Sequence, residues 1–245
     1  MSGHSKWNNI AKRKGANDAK KAAIFTKIGR KMAVAIKEGG SNNPDNNAKL
    51  RDCIAEAKAN NVPNDNIKRM LDKGNQSNVS YESNTYEGYG PSGIAVICET
   101  LTDNRNRTVA DVRHYFDKYG AGLGNAGCVS WQFEQKGVLI IERGDLDEDE
   151  TMMTVLDAGA DDFQADEDCF QIYTAPEDFS AVRDALTEAG FEFAQAEIQM
   201  VPQNTITLES QEDMAQLRKL LDSLEDNDDV QDVWHNWENE DDYEE

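Results

Sequence analysis

The sequence predicts an α+β multidomain chain: an N-terminal helical domain followed by two ferredoxin-like-type α/β domains, one of them discontinuous. Three observations lead there. Apolar residues recur at helical spacing as far as Leu71, then give way to strand-like runs alternating with helical ones. The charge changes sign at the same place. Residues 1–75 hold 16 Lys and Arg against 7 Asp and Glu, a net +9, whereas the rest of the 245 residues hold 9 against 40, a net −31. Finally, two strand–helix–strand runs, one before residue 138 and one after 202, bracket a third, as an insertion would.

Lys6 to Lys14 reads as a short basic helix ending at Gly15. A longer helix is expected over roughly 17–38, with Ile24, Ile28, Met32, Ala35 and Ile36 on its apolar stripe and Lys20, Lys27 and Lys31 in one row beside it. Gly39-Gly40 stops that helix and Ser41 to Asn47 makes a turn. Leu50, Cys53, Ile54 and Ala57 predict a third helix. Asn64 caps a fourth, with Ile67, Met70 and Leu71 inward and Gly74 as its stop.

Asn75 to Asn84 reads as a polar linker, and Gly93 to Thr100 as a buried strand. Thr108 and Asp111 form a capping box before Val109, Val112, Phe116 and Tyr119. Val129, Trp131 and Phe133 alternate as a half-buried strand should, and Val138 to Glu142 gives another. A helix around Met152 to Ala158, a strand Cys169 to Tyr173, a helix through Phe179, Val182 and Leu186, and a strand Glu192 to Val201 follow. After Pro202 come a short strand Thr205 to Leu208, a helix capped by Ser210 and carrying Met214, Leu217, Leu221 and Leu224, and a last strand Val230 to Trp237. The expected domains are a basic helical domain 1–78, a discontinuous α/β domain 79–137 and 203–238, an inserted α/β domain 138–202, and a frayed acidic tail 239–245.

Several function classes find no support. No stretch approaches the ~18 apolar residues of a membrane span, and the N-terminus lacks an apolar signal segment. Cys53, Cys98, Cys128 and Cys169 are scattered among apolar residues and read as buried free thiols of a reducing cytoplasm. Gly122 to Gly127 matches G-x-G-x-x-G but lies between a helix and a strand, so no helix N-terminus follows to hold a phosphate. His4, His114 and His235 fall in three separate elements, without metal-ligand spacing. The carboxylates occur in runs such as Asp147 to Glu150, which read as solvated surface. No catalytic residue, cofactor, metal or small-molecule substrate is expected.

The basic segment points elsewhere. His4, Lys6, Trp7, Lys12, Arg13, Lys14, Lys20, Lys21, Lys27, Arg30 and Lys31 cluster on the first two predicted helices. Such a field neutralises phosphates, while the acidic remainder repels them. Trp7 suits either stacking on a base or anchoring the chain start in the core. Arg105 and Arg107, between a strand and a helix, suit a phosphate or an acidic neighbouring domain.

The chain also resembles the YebC/PmpR family. The resemblance runs through Met1-Ser-Gly-His-Ser-Lys-Trp-Asn-Asn-Ile, Ala22-Ala-Ile-Phe-Thr-Lys-Ile and Ala33-Val-Ala-Ile-Lys-Glu-Gly-Gly. It continues in Tyr86-Glu-Gly-Tyr-Gly-Pro, Thr102-Asp-Asn-Arg-Asn-Arg-Thr-Val-Ala-Asp-Val-Arg-His and Asp229-Val-Gln-Asp-Val. It implies three domains, cytoplasmic location and nucleic-acid contact through His4, Lys6, Trp7 and the basic positions after them. Family members are described as DNA-binding transcriptional regulators, and relatives include a mitochondrial translational activator. The expected function is a non-enzymatic nucleic-acid-binding regulator, first as a DNA-binding transcriptional regulator. A ribosome-associated translation factor binding ribosomal RNA and a protein-interaction scaffold stand as alternatives. The ribosome and the transcription machinery are the expected larger partners.

Overall fold

The computed structural model describes residues 18–76 and 79–243. The expected short helix over 6–14 lies outside them. The described chain forms two compact units, one made of 18–133 with 202–243 and the other of 134–201.

The first unit begins with three helices, α1 (Asp18–Gly39), α2 (Ala48–Ala59) and α3 (Asn64–Gln76). Ile28, Met32, Ala35 and Ile36 of α1 are buried against Leu50 and Ala57 of α2 and Ile67 of α3, with Ile24 at the edge. The stripe is the one the helical spacing predicts. Asn47 joins the first two helices. Its Oδ1 accepts from Leu50 N at 3.1 Å, capping α2, while its Nδ2 donates to Ala35 O at 2.8 Å and Ser41 O at 3.0 Å. The approach leaves no room for a side chain on Gly39, where a Cβ would run into the Asn47 amide. Gly74 does not stop α3, which runs on to Gln76. The glycine instead lets α3 approach α1, since a Cβ there would lie 2.7 Å from Ile36 Cδ1.

The same unit holds a three-stranded antiparallel sheet of β1 (Glu82–Tyr89), β2 (Ala95–Thr102) and β7 (Val230–His235), with β2 central. Helices α4 (Arg105–Tyr119) and α7 (Gln211–Glu225) cover one face, where Val96 and Cys98 meet Val112, Phe116, Leu217, Leu221 and Leu224. Three expectations change here. The polar residues from Glu82 onward are not linker but strand β1, held to β2 by backbone pairing from Glu82 to Tyr89. Ser130–Gln132 is a turn of 3-10 helix that leaves Trp131 68% exposed, so the alternation around Trp131 makes no strand. Thr205 to Leu208 contributes one isolated parallel bridge, Ile206 to Trp237.

The acidic end does not fray up to residue 243. Glu240 is buried and paired with Arg218, whose guanidinium lies 5.7 Å from the Trp237 ring centre. Gln211 Nε2 donates to Asp242 O at 2.9 Å, and Tyr243 packs on the core.

The second unit runs β3 (Phe133–Glu142, whose first residue closes the first unit), α5 (Glu148–Asp157), β4 (Asp162–Ala165), β5 (Cys169–Thr174), α6 (Phe179–Glu188), β6 (Gln195–Pro202). The sheet order β4-β5-β3-β6 with this β-α-β-β-α-β sequence is the ferredoxin-like arrangement. Strand β4 leaves no mark in the sequence pattern, because it is a short polar edge. Leu139, Ile141, Phe170 and Ile172 face the helices and meet Val155, Phe179, Val182 and Leu186.

Candidate nucleic-acid interface

Lys27, Arg30 and Lys31 of α1 are turned onto the chain's own α2, the end of α7 and the start of β7. Lys27 Nζ donates to Glu225 O at 2.7 Å. Lys31 Nζ lies 3.0 Å from Glu56 Oε1 and 3.3 Å from Asp232 Oδ2. Arg30 Nη1 donates to Asp229 Oδ1 at 2.7 Å, to Asp228 O at 2.7 Å and to Leu101 O at 3.1 Å, with the guanidinium 5.7 Å from the Tyr81 ring centre.

Asp229 is the hub. Its side chain is 5% exposed. Besides Arg30, it accepts from Arg107 Nη2 and Nε at 2.7 and 3.2 Å, from Thr108 Oγ1 at 2.8 Å and from Thr102 Oγ1 at 3.1 Å, all on Oδ2. Burial works to raise its pKa, but the Arg107, Thr108 and Arg30 donors outweigh it and hold the carboxyl below the ordinary aspartate value. Arg107 also pairs with Asp103 at 2.9 Å, and its pKa rises, chiefly through the hydrogen bonds to Asp229 and Asp103. Thr108 is not the cap of α4. Asn104 is, accepting from Arg107 N at 3.2 Å, which frees the buried Thr108 hydroxyl to serve Asp229.

Next to this hub, Glu99 of β2 stands directly opposite Asp232 of β7. Burial and the like charge of Asp232 raise the Glu99 pKa, and Lys31 partly offsets them.

The predicted site residues are therefore divided. His4, Lys6, Trp7, Lys12, Arg13 and Lys14 lie outside the described residues, and Lys20 is described only as part of the α1 backbone. Lys21 is exposed on α1. Lys27, Arg30, Lys31 and Arg107 come together over β7 and its approach. Arg105 is exposed at the first turn of α4, near Tyr86, whose phenol burial pushes its pKa up against the influence of Arg105.

Other cations of the helical domain, all but Lys37 beyond its first two predicted helices, are not among the predicted site residues. Lys37, Arg51, Lys58, Lys68, Arg69 and Lys73 are exposed and, like Lys21, make no ion pair among the described residues. Arg69 and Lys73 stand one helical turn apart on α3. The signal in the sequence is only the excess of cations over carboxylates, since i, i+4 spacing to Asp65 and Asp72 suggests pairing that the structure does not make.

The G-x-G-x-x-G segment is occupied by protein. The Glu87 carboxylate accepts from Gly127 N at 2.8 Å and from Val129 N and Ser130 N at 2.9 Å each. Burial opposes its ionisation, yet these donors lower its pKa. Gly124 N donates to Glu87 O at 2.8 Å, so two of the segment's N–H groups are held by Glu87. His114 is exposed on α4, and His235 Nδ1 accepts from Trp237 N at 3.3 Å. Cys98 and Cys169 are buried, whereas Cys53 and Cys128 are only partly so. Burial, with Glu56 adding to it, pushes the Cys53 thiol up to about 12. No helix among the described residues is long and apolar enough to cross a membrane.

Comparison with known proteins agrees along nearly the whole chain. Residues 5–77 match the TACO1/YebC protein N-terminal domain, and residues 81–237 match the TACO1/YebC second and third domain. A Clostridium tetani protein described as "Probable transcriptional regulatory protein" is 56% identical over 231 residues, covering 93% of each chain. One from Ruminiclostridium cellulolyticum with the same description is 53% identical over 229 residues, covering 92% of each. The crystal structure of a conserved hypothetical protein from Aquifex aeolicus is similar with a TM-score of 0.80 and 39% identity, over 90% of this chain and 91% of that one.

Proposed function

The chain belongs to the TACO1/YebC family, and from that premise we propose that it is a non-enzymatic regulator of gene expression that binds nucleic acid through its helical domain. One observation carries the reading: the contrast in how cations are used. In the 134–201 unit, Lys136, Arg143 and Arg183 are each paired with a carboxylate. On α1, α2 and α3, Lys49 pairs with Glu38, but Lys21, Lys37, Arg51, Lys58, Lys68, Arg69 and Lys73 are exposed without such a partner. Exposed cations on one basic domain, beside a chain of net charge −22, favour a polyanion gripped at that domain.

In this reading those side chains contact the phosphate backbone, together with the cations of residues 4–20. Lys27, Arg30, Lys31 and Arg107 set the placement of α1 against the sheet. DNA is the first target, supported by the description of the relatives as transcriptional regulatory proteins. A structured RNA is the second. It is favoured by the predominance of lysine, a point charge that grips phosphate and lacks the fork with which arginine reads guanine.

Crosslinking the protein to nucleic acid in cells and sequencing what is bound tests the proposal. Enriched genomic sites support a transcriptional regulator, and enriched ribosomal RNA supports a translation factor. No enrichment over an uncrosslinked control would overturn nucleic-acid binding and leave the scaffold reading.

A further inference from the structure

The four-stranded unit has a surface that its own fold does not use. Residues 134–201 hold 3 Lys and Arg against 19 Asp and Glu, a net −16. Helix α5 is capped by Asp147, whose Oδ1 accepts from Glu150 N at 3.0 Å. It buries Thr151 and Val155 against the sheet. That stripe completes the helix's share of the core. On another face, Asp149, Met152, Met153 and Leu156 recur at i, i+3, i+4 and i+7. Met152, Met153 and Leu156 are 36, 65 and 47% exposed. Glu148, paired with Arg143, borders this stripe on one side, and Glu150 and Asp157 border it on the other.

An exposed row of large apolar side chains at helical spacing is a marker of an interaction site. Two methionines suit it to a helical partner, because the unbranched thioether adapts its shape to what it meets. Charge selects the occupant. A second copy would bring another −16 unit against this one, and a nucleic acid would bring phosphates; both meet like charge. A cationic amphipathic helix satisfies the apolar row and the flanking carboxylates together. We propose that α5 is the docking surface for a basic amphipathic helix of a partner protein, its apolar side on Met152, Met153 and Leu156 and its Lys or Arg residues against Asp149, Glu150 and Asp157. The inference stands apart from nucleic-acid binding, which is proposed for other residues.

The test titrates the full chain, with methyl-labelled methionine, against a synthetic amphipathic peptide of leucine and lysine at helical spacing. Saturable binding that shifts the Met152 and Met153 methyl signals and weakens with salt is expected. Met153→Ser, Leu156→Ser and Asp149→Lys should each weaken it at least ~5-fold, the effect of about 1 kcal/mol, with unchanged thermal melting. The same peptide with glutamate for lysine should not bind. Equal binding by the variants, or no binding, overturns the proposal. So does a concentration-dependent dimer, seen by sedimentation, that Met153→Ser abolishes; it would give the stripe to a second copy.

Discussion

Asp229 stands between Arg30 and Arg107, accepting from each at 2.7 Å, one on each carboxylate oxygen. The three residues come from α1, α4 and the approach to β7, so one buried carboxylate fixes a helix of the basic domain to the end of the split sheet. Breaking such a group leaves buried polar atoms unmatched. Asp229→Ala should cost on the order of 3 kcal/mol, read as a lower urea midpoint. A change below about 0.5 kcal/mol would show that the pairing adds nothing to the fold.

The same hub predicts an acid response. The Asp229 pKa lies below its ordinary value in the folded chain. Its contribution to stability is therefore full above the ordinary aspartate pKa of about 3.9 and is lost as pH falls through the lower folded value. Urea midpoints measured downward from pH 5 should fall for the native chain, and Asp229→Asn should flatten that dependence. Parallel curves for the two proteins would count against the assignment.

Glu99 has the opposite sign. Burial and Asp232 raise its pKa, so the charged form strains the folded state, and stability is lost as pH rises above the ordinary glutamate pKa of about 4.3. Glu99→Gln should stabilise the chain at pH 7 by roughly 0.2–1 kcal/mol, the scale of a cross-strand like-charge pair, and by nothing near pH 3. Destabilisation at pH 7 would mean that Lys31 needs Glu99 as a partner.

Gly88 tests the packing of β1 on α4. A Cβ there would meet the Phe116 ring at 2.6 Å and Gly122 O at 2.9 Å. Gly88→Ala should cost about 1–3 kcal/mol by overpacking, measured by thermal melting. An unchanged melt would show that the loop at Gly122 yields freely.

Much of the fold is legible from local spacing. The stripe of Ile24, Ile28, Met32, Ala35 and Ile36 places α1, and the α+β class follows from the change in periodicity at the end of the helical domain. What spacing misses is tertiary. Arg107 and Arg30 lie 122 and 199 residues from Asp229, so nothing local announces their meeting. Strand β1 hides because its stability comes from backbone pairing with β2, while Glu82, Ser83 and Thr85 are exposed. The two possible caps of α4 stand four residues apart; Asn104 takes the cap, and the Thr108 hydroxyl lies one turn inside the helix, within reach of Asp229, Thr102 and Asn104 O. Of the candidate site, the basic character of the helical domain is readable, but which cations face inward is not.

That division is the central claim, and salt-dependent binding tests it most directly. Lys68, Arg69 and Lys73 are to be replaced together by Ala, and affinity for a DNA duplex measured across a range of salt concentrations. If these exposed side chains neutralise phosphates, the slope of log affinity against log salt should become shallower by about 2 to 3, roughly 0.9 for each cation removed. Stability should hold within about 1 kcal/mol for the three exposed changes. An unchanged slope in a stably folded variant would contradict the claim that the unpaired cations of α3 take part in gripping the polyanion.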